Sequence, residues 1–200
     1  MLTAEGLYLV RGDRCLVRDL SFELASGELL LIEGANGSGK TSLLRALAGL
    51  MPLEEGRVSW EGRPVAEDPQ NYRSSLVWMA HRVGFKKDLD LLANLRFEAS
   101  LRPMADVEQA AIIERLGLTS RCRLPFRVLS AGQQRRVALA RMLLSDCPLW
   151  IMDEPFTNLD VDGRALVREV VSAHLAGGGL CLMASHQAAE ITAKTRRIQL

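Results

Sequence analysis

The octet Gly34-Ala-Asn-Gly-Ser-Gly-Lys-Thr41 limits what this 200-residue chain can become more than any other segment. It is set between an apolar run, Leu29-Leu-Leu-Ile32, and a helix-like stretch, Ser42-Leu-Leu-Arg-Ala-Leu-Ala-Gly49. Buried strand, glycine-rich loop and helix in that order form the setting of a phosphate-binding P-loop. Gly34, Ala35, Asn36, Gly37, Ser38 and Gly39 let backbone N–H groups curl around phosphate oxygens with few Cβ atoms in the way, and the helix behind them presents its positive dipole end and unpaired N–H groups through Thr41 and Ser42. Lys40 adds a point charge for the outer phosphates. Thr41 offers a hydroxyl oxygen to Mg2+, a hard ion that prefers oxygen ligands and usually arrives already bound to a nucleotide.

A second apolar run, Pro148-Leu-Trp-Ile-Met-Asp153-Glu154, ends in two carboxylates. In open α/β sheets, ligands collect at the carboxyl ends of strands. Asp153 can bind Mg2+ directly or hold one of its waters. Glu154, next along the strand and pointing elsewhere, can orient and polarise the water that attacks a γ-phosphate. Acids at a strand end are commonly just solvated, but with a P-loop upstream the pair gains a purpose. Phosphoryl transfer needs charge placement more than covalent chemistry, so a lysine, a metal and one water-orienting acid suffice for slow turnover.

The third motif, Leu129-Ser-Ala-Gly-Gln-Gln-Arg-Arg136, precedes an apolar helical stretch, and Ser130 with Gln133 has capping-box spacing. A well-capped helix is the plain reading. Gly132 in the first turn nevertheless costs about 1 kcal/mol relative to Ala, which makes sense if something must approach closely. A helix N-terminus with a bare backbone is a second anion site. One nucleotide does not need two such sites from one chain, so the economical arrangement is two chains head to tail, each sealing the other's ATP.

Around these motifs the chain reads as a single α/β unit over residues 1–200. Residues 7–10 and 17–24 are predicted strands, and Ser26-Gly27-Glu28 turns the chain into the strand before the P-loop. Residues 57–60 form a strand with a hairpin turn at Glu61-Gly62, and residues 76–80 form another. Apolar residues then recur at helical spacing over 91–101 and 107–116, so a helical insertion is expected at about 82–145. From Ser130 the order is helix (137–144), strand (149–152), helix (164–175), strand (180–184).

Composition adds exclusions. A hydrophobic content of 48% supports one substantial core. Lys plus Arg (25) nearly cancels Asp plus Glu (24), so the net charge of +1 gives no global reason to expect nucleic acid. Arg115, Arg121, Arg123, Arg127, Arg135, Arg136 and Arg141 cluster, and are read as a solvated helix face paired with acids elsewhere. Cys15, Cys122, Cys147 and Cys181 form no Cys/His ligand pairs and are expected to be reduced, mostly structural thiols. The absence of a basic-then-apolar leader, and of any run near the ~18 apolar residues of a membrane span, predicts a cytoplasmic protein, soluble by itself.

Taken in order and spacing, these residues resemble the nucleotide-binding subunits of ATP-binding cassette (ABC) transporters. The resemblance spans nearly the whole chain: Walker A (residues 34–41), signature (129–133), Walker B (149–153), Glu154, a D-loop (Asn158-Leu-Asp160) and a switch histidine, His186. It implies an ABC-type P-loop ATPase with an antiparallel β subdomain, a mixed or parallel core sheet and a helical subdomain. It also implies ATP and Mg2+ as ligands, a head-to-tail homodimer on ATP binding, and integral membrane subunits as partners. Ser130, Gly132 and Gln133 would then contact the nucleotide held by the partner chain, Asp160 would couple the two sites, and His186 would hydrogen-bond the γ-phosphate. Arg11-Gly-Asp-Arg14, His81-Arg-Val-Gly-Phe-Lys86, Ser130-Ala-Gly-Gln-Gln-Arg-Arg136 and Trp150-Ile-Met-Asp-Glu-Pro-Phe-Thr157 resemble the branch of that family serving bacterial cytochrome c maturation and haem export. That implies a peripheral protein on the cytoplasmic face of the inner membrane.

Three positions depart from the family pattern. Arg11 replaces the aromatic that stacks on adenine, although a guanidinium plane can also stack. His81 replaces a glutamine, and imidazole is a poorer Mg2+ ligand than an amide oxygen, which assigns His81 to coupling. Ala131 replaces the first signature glycine. The alternatives are an ATP-driven subunit of another ABC transporter, a non-transport ATP switch clamping nucleic acid or a soluble assembly, and a small-molecule kinase. Balanced charge and the absence of a basic extension weigh against the second, and the two later motifs against the last.

Overall fold

The computed structural model describes residues 1–101, 104–185 and 191–200. Two antiparallel strands open the chain, β1 (Leu2–Arg11) and β2 (Arg14–Leu24), followed by β3 (Glu28–Glu33), the loop 34–39 and α1 (Lys40–Leu47). Next come β4 (Glu55–Trp60), β5 (Arg63–Pro64), α2 (Pro69–Ser74) and β6 (Leu76–Met79). A helical stretch follows with α3 (Leu91–Ala99), α4 (Gln109–Arg115) and α5 (Ala131–Leu144). The chain closes with β7 (Leu149–Asp153), α6 (Val161–Ala176), β8 (Leu180–Ala184) and β9 (Lys194–Gln199).

The strands form two sheets. One is antiparallel, in the order β2-β1-β4-β5; the other has the order β6-β7-β8-β3-β9, with every pairing parallel. The second fixes the site, because β3 and β7 lie one strand apart with β8 between them. All their carboxyl ends therefore point to the same edge, the end at which open α/β sheets bind ligands.

Near-continuous apolar sequence makes β3, β7 and β8 buried on both faces, as parallel strands covered on two sides require. Alternation then sorts their side chains. Leu29, Leu31, Val77, Met79, Trp150, Met152, Cys181 and Met183 pack in one core with α3 to α6. Leu30, Ile32, Leu149, Ile151, Leu180 and Leu182 face the opposite way, against Leu43, Leu44 and Leu47 of α1 and the antiparallel sheet.

The predicted elements are present, several with longer ends, while β6, α3 and α4 are shorter than the expected 76–80, 91–101 and 107–116. The differences have physical reasons. Helix α5 starts at Ala131, six residues before the expected 137, because Ser130 caps it. Helix α2 was not expected; Asp68 caps it by accepting from Asn71 N at 3.1 Å, and Pro69 supplies the preset φ of a first turn. Strand β9 was not expected either: it is a polar edge strand in a stretch to which sequence reading assigns no element, and its pairing with β3 creates it.

Candidate functional site

The loop after β3 is bent by glycines where another residue would not fit. Gly34 has φ 150°, and a Cβ there would sit 2.6 Å from Leu200 O and 2.7 Å from Ser38 Oγ. Gly39, the residue capping α1, has φ 117°, and a Cβ there would meet Leu16 Cβ at 3.1 Å. Backbone in this region costs a side-chain-bearing residue energy that glycine avoids. The bent loop delivers the first N–H groups of α1 to the cleft.

Lys40 is buried and spans the loop: Nζ donates to Gly34 O at 2.8 Å and to Ala35 O at 3.1 Å, and lies 4.0 Å from Glu154 Oε1. Thr41 Oγ1 donates to Asp153 Oδ2 at 2.8 Å. Asp153 is 2% exposed, so this hydroxyl faces a carboxylate removed from water. Ser38 Oγ is buried with no hydrogen-bond partner among the described residues, which suits a further acceptor such as a phosphate oxygen. P-loop and β7 terminus meet in one cleft of about 430 Å³, lined also by Arg11, Arg14, Asn36, Ser42 and His81. Arg14 Nη1 donates to Gly37 O at 3.5 Å, tying the β1–β2 turn to the loop.

Glu154 follows β7 in a left-handed conformation, φ 51°. Its N–H donates to Ala184 O at 2.9 Å, the last bond of the β7–β8 ladder, and the left-handed φ then turns the chain so that Glu154 does not continue the strand.

At the head of α5 the capping box is present: Ser130 Oγ accepts from Gln133 N at 3.2 Å, and Gln133 Oε1 accepts from Ser130 N at 3.0 Å. A Cβ on Gly132 would meet Asn158 O at 3.0 Å, so one close approach expected there comes from this chain's own loop after β7. Asp160 caps α6, accepting from Gly163 N at 2.8 Å and pairing with Arg136 at 3.4 Å. Its carboxyl is held below the usual range, first by the Gly163 N–H and then by Arg136.

The predicted residues therefore fall into two groups. Lys40, Thr41, Asp153, Glu154 and Arg11 share the cleft, whereas Ser130, Gly132, Gln133 and Asp160 do not line it. His186 lies outside the described residues.

The arginine cluster is a correction. Arg115 pairs with Glu169 at 2.8 Å and Arg127 with Asp88 at 3.0 Å on the surface, as a solvated face would. Arg135 (5% exposed) and Arg141 (9%) are instead buried. Backbone carbonyls compensate them: Arg141 Nη2 donates to Trp78 O, and Arg135 reaches Ala80, Asp153, Glu154 and Pro155. Sequence reasoning missed both; the available signal was the near-continuous apolar run Val137–Leu144 around Arg141, which marks a helix buried on most sides and leaves no polar face for a cation.

A P-loop on a parallel sheet with carboxylates two strands away defines a nucleotide-binding ATPase fold. The chain belongs to the ABC transporter family: the family profile of that description matches residues 17–157. It is 49% identical over 203 residues to the cytochrome c biogenesis ATP-binding export protein CcmA of Methylococcus capsulatus, covering 100% of this chain and 97% of that relative. Among solved structures, it matches an ATP-binding subunit of an ABC transporter with TM-score 0.83 and 25% identity, covering 92% of this chain and 79% of that one. A dimeric ATP-binding cassette in a post-hydrolysis state, bound to ADP and Pi, shares the fold with TM-score 0.80 and 20% identity over 94% of this chain and 88% of that one.

Proposed function

We propose that this chain is the ATP-hydrolysing, nucleotide-binding subunit of an ABC transporter that energises haem export or delivery for c-type cytochrome maturation. Its relatives' role in cytochrome c biogenesis supplies the context. The observation that carries the chemistry is the meeting of Lys40, the Thr41–Asp153 pair and Glu154 in one cleft.

Residues 34–42 hold the triphosphate through backbone N–H groups, with Lys40 neutralising its outer charge. Hydroxyl and carboxylate oxygens side by side fit a hard cation, so Thr41 and Asp153 would hold Mg2+. When bound, that ion neutralises charge developing on the transferred phosphoryl group. Glu154, fixed at its backbone, orients the attacking water. Arg11 stacks on the base, and the role proposed for His186, outside the described residues, is a hydrogen bond to the γ-phosphate. Ser130, Gly132 and Gln133 lie outside the cleft and complete the site of a second copy, with Asp160 linking the two sites in a head-to-tail dimer. The helical stretch at about 82–145, with the loop at His81, forms the subdomain that engages integral membrane subunits. Among the described residues no helix is long and apolar enough to cross a membrane. In this reading the chain works peripherally, beside membrane subunits at the cytoplasmic face of the bacterial inner membrane, with no nucleic-acid partner.

The test is Glu154→Gln. ATP binding by the purified chain stays within about threefold while hydrolysis by the complex falls by about 10² or more, the scale at which loss of a positioned acid-base group acts. A nucleotide-sealed dimer accumulates on size-exclusion chromatography. Unchanged turnover would remove Glu154 from the reaction, and absence of ATP binding by the unmodified chain would remove the function.

A further inference from the structure

Arg135 stands one turn into α5, just beyond Gly132. Its side chain leaves solvent and enters the carboxyl edge of the parallel sheet. There one guanidinium serves four backbone carbonyls. Nη2 donates to Asp153 O at 2.7 Å and to Glu154 O; Nε donates to Pro155 O at 3.2 Å; Nη1 donates to Ala80 O at 2.9 Å. These acceptors lie where β7 and β6 stop.

Buried carbonyls at such strand ends need donors, and a guanidinium carries five in a fixed planar fork. Burial lowers the Arg135 pKa to about 10, opposed by the carboxylates of Asp153 and Glu154, so the group remains cationic at neutral pH. The arrangement is costly to assemble, because a desolvated cation is tolerated only with charge and hydrogen bonds in place. It is therefore informative that it is assembled around Glu154. That residue's positive φ is one that non-glycine residues rarely adopt. The peptide on either side is held, by Ala184 O at its N–H and by Arg135 at its carbonyl.

We propose that Arg135 is a positioning residue for hydrolysis: through the carbonyls of Asp153, Glu154 and Ala80 it ties the orientation of Glu154 to the head of α5 and to the loop carrying His81. The proposal rests on Glu154 being the water-orienting acid. Its consequence is mechanical. A shift of the α5 N-terminus when a second copy engages Ser130 and Gly132, or a shift of the His81 loop when a membrane partner engages it, reaches Glu154 through one rigid group.

Lysine tests this because it keeps the charge and loses the fork. Arg141→Lys is the control. Arg141 is also buried on the same helix, donates to Trp78 O and pairs with Glu98 at 3.6 Å. Turnover is measured on the transporter complex isolated from native membranes, ATP affinity and thermal stability on the purified chain.

For Arg135→Lys, kcat falls about ten- to hundredfold, the range expected of a misplacement near 1 Å, while ATP affinity stays within about twofold. Arg141→Lys loses comparable thermal stability and keeps kcat within about twofold of the unmodified complex. Arg135→Gln, which retains two donors on a shorter stem, reports the same split if the lysine variant does not fold. An unchanged kcat in Arg135→Lys overturns the proposal, as does an equal kcat loss in Arg141→Lys, or a loss of ATP affinity in step with kcat. If the unmodified complex itself hydrolyses no ATP, the reading of the site has failed rather than the role of Arg135.

Discussion

Thr41→Val separates the structural part of the proposed metal-ligand pair from its catalytic part. Valine has nearly the shape of threonine and the same β-branching, so the first turn of α1 keeps its packing and its rotamer preference. What disappears is the hydroxyl donor 2.8 Å from Asp153 Oδ2. Asp153 is 2% exposed, so water does not replace that donor freely. A hydrogen bond to a charged group contributes about 1.5–3 kcal/mol. For a chain of this size each kcal/mol moves the melting temperature by roughly 2–4 °C, which predicts a fall of about 3–12 °C. Thr41→Ser keeps the hydroxyl and falls by less than about half as much, through the lost methyl alone. The assay is a calorimetric scan of nucleotide-free protein in EDTA at pH 7, where no ion contributes to either variant. In a second scan with Mg2+ and ATP, Thr41→Val also gains less stabilisation from ligand than wild type, since binding to the native state adds to stability in proportion to affinity. If Thr41→Val melts within about 1 °C of wild type in EDTA, the hydroxyl does not support Asp153, and the pre-paired oxygen donors invoked for Mg2+ are not a pair.

Three further outcomes follow from the same geometry. His174 stacks on Trp150 at 3.9 Å and 10°, with Nε2 3.3 Å from Leu180 O, and burial holds its pKa below 6.5. The unfolded chain therefore takes up this proton first as pH falls, so stability declines as pH drops below about 6.5. His174→Gln flattens that decline in urea titrations at pH 7.5, 6.5 and 5.5, and an unaltered slope refutes the assignment. Glu28 is pushed down to about 2 from 4.5, first by the Ala25 N–H and then by Lys194 and Arg196. Its contribution is complete above pH 4.5 and is lost as pH falls toward 2, so Glu28→Gln is less stable at pH 7 and loses less on acidification. Gly34→Ala puts a Cβ 2.6 Å from Leu200 O, an overlap costing about 1–3 kcal/mol, and distorts the loop. Melting temperature and ATP affinity, by calorimetry, both fall; a variant that binds ATP normally shows that the loop tolerates the side chain.

The parts of this molecule that were readable in advance are those whose chemistry is local. A P-loop needs glycines, a lysine and a threonine within eight positions, and the strand before it must be apolar, so residues 29–49 carry their own diagnosis. The same holds for Leu149–Asp153 and for the Ser130–Gln133 capping box, whose two hydrogen bonds span three residues. Strand β9 was not readable because its sequence, Lys194-Thr-Arg-Arg-Ile-Gln199, is polar, and only the open edge of β3 makes it a strand. The side of the sheet each residue faces was readable as alternation, but not which helices cover which side.

Arg135 marks where that kind of reading stops. In sequence it is one of two adjacent arginines on a helix in an arginine-rich stretch, and position alone makes it another solvated cation. Its neighbour Arg136 behaves more nearly that way, reaching Asp160 and Leu116 O. A helix turns 100° per residue, so of two consecutive arginines one can face outward and the other toward the sheet. Which of them faces inward depends on where α5 begins, and Ser130 sets that start. The cap that satisfies two N–H groups at the head of the helix thereby also fixes the rotation that sends Arg135 to the carbonyls of Asp153 and Glu154. A substitution that shifts the cap, such as Ser130→Ala, should lower kcat partly through this rotation as well as through any loss of contact with nucleotide. Hydrogen exchange of the Glu154 and Pro155 segment separates the two contributions: it quickens in nucleotide-free Ser130→Ala if the rotation matters, and stays at the wild-type rate if the cap acts on nucleotide alone.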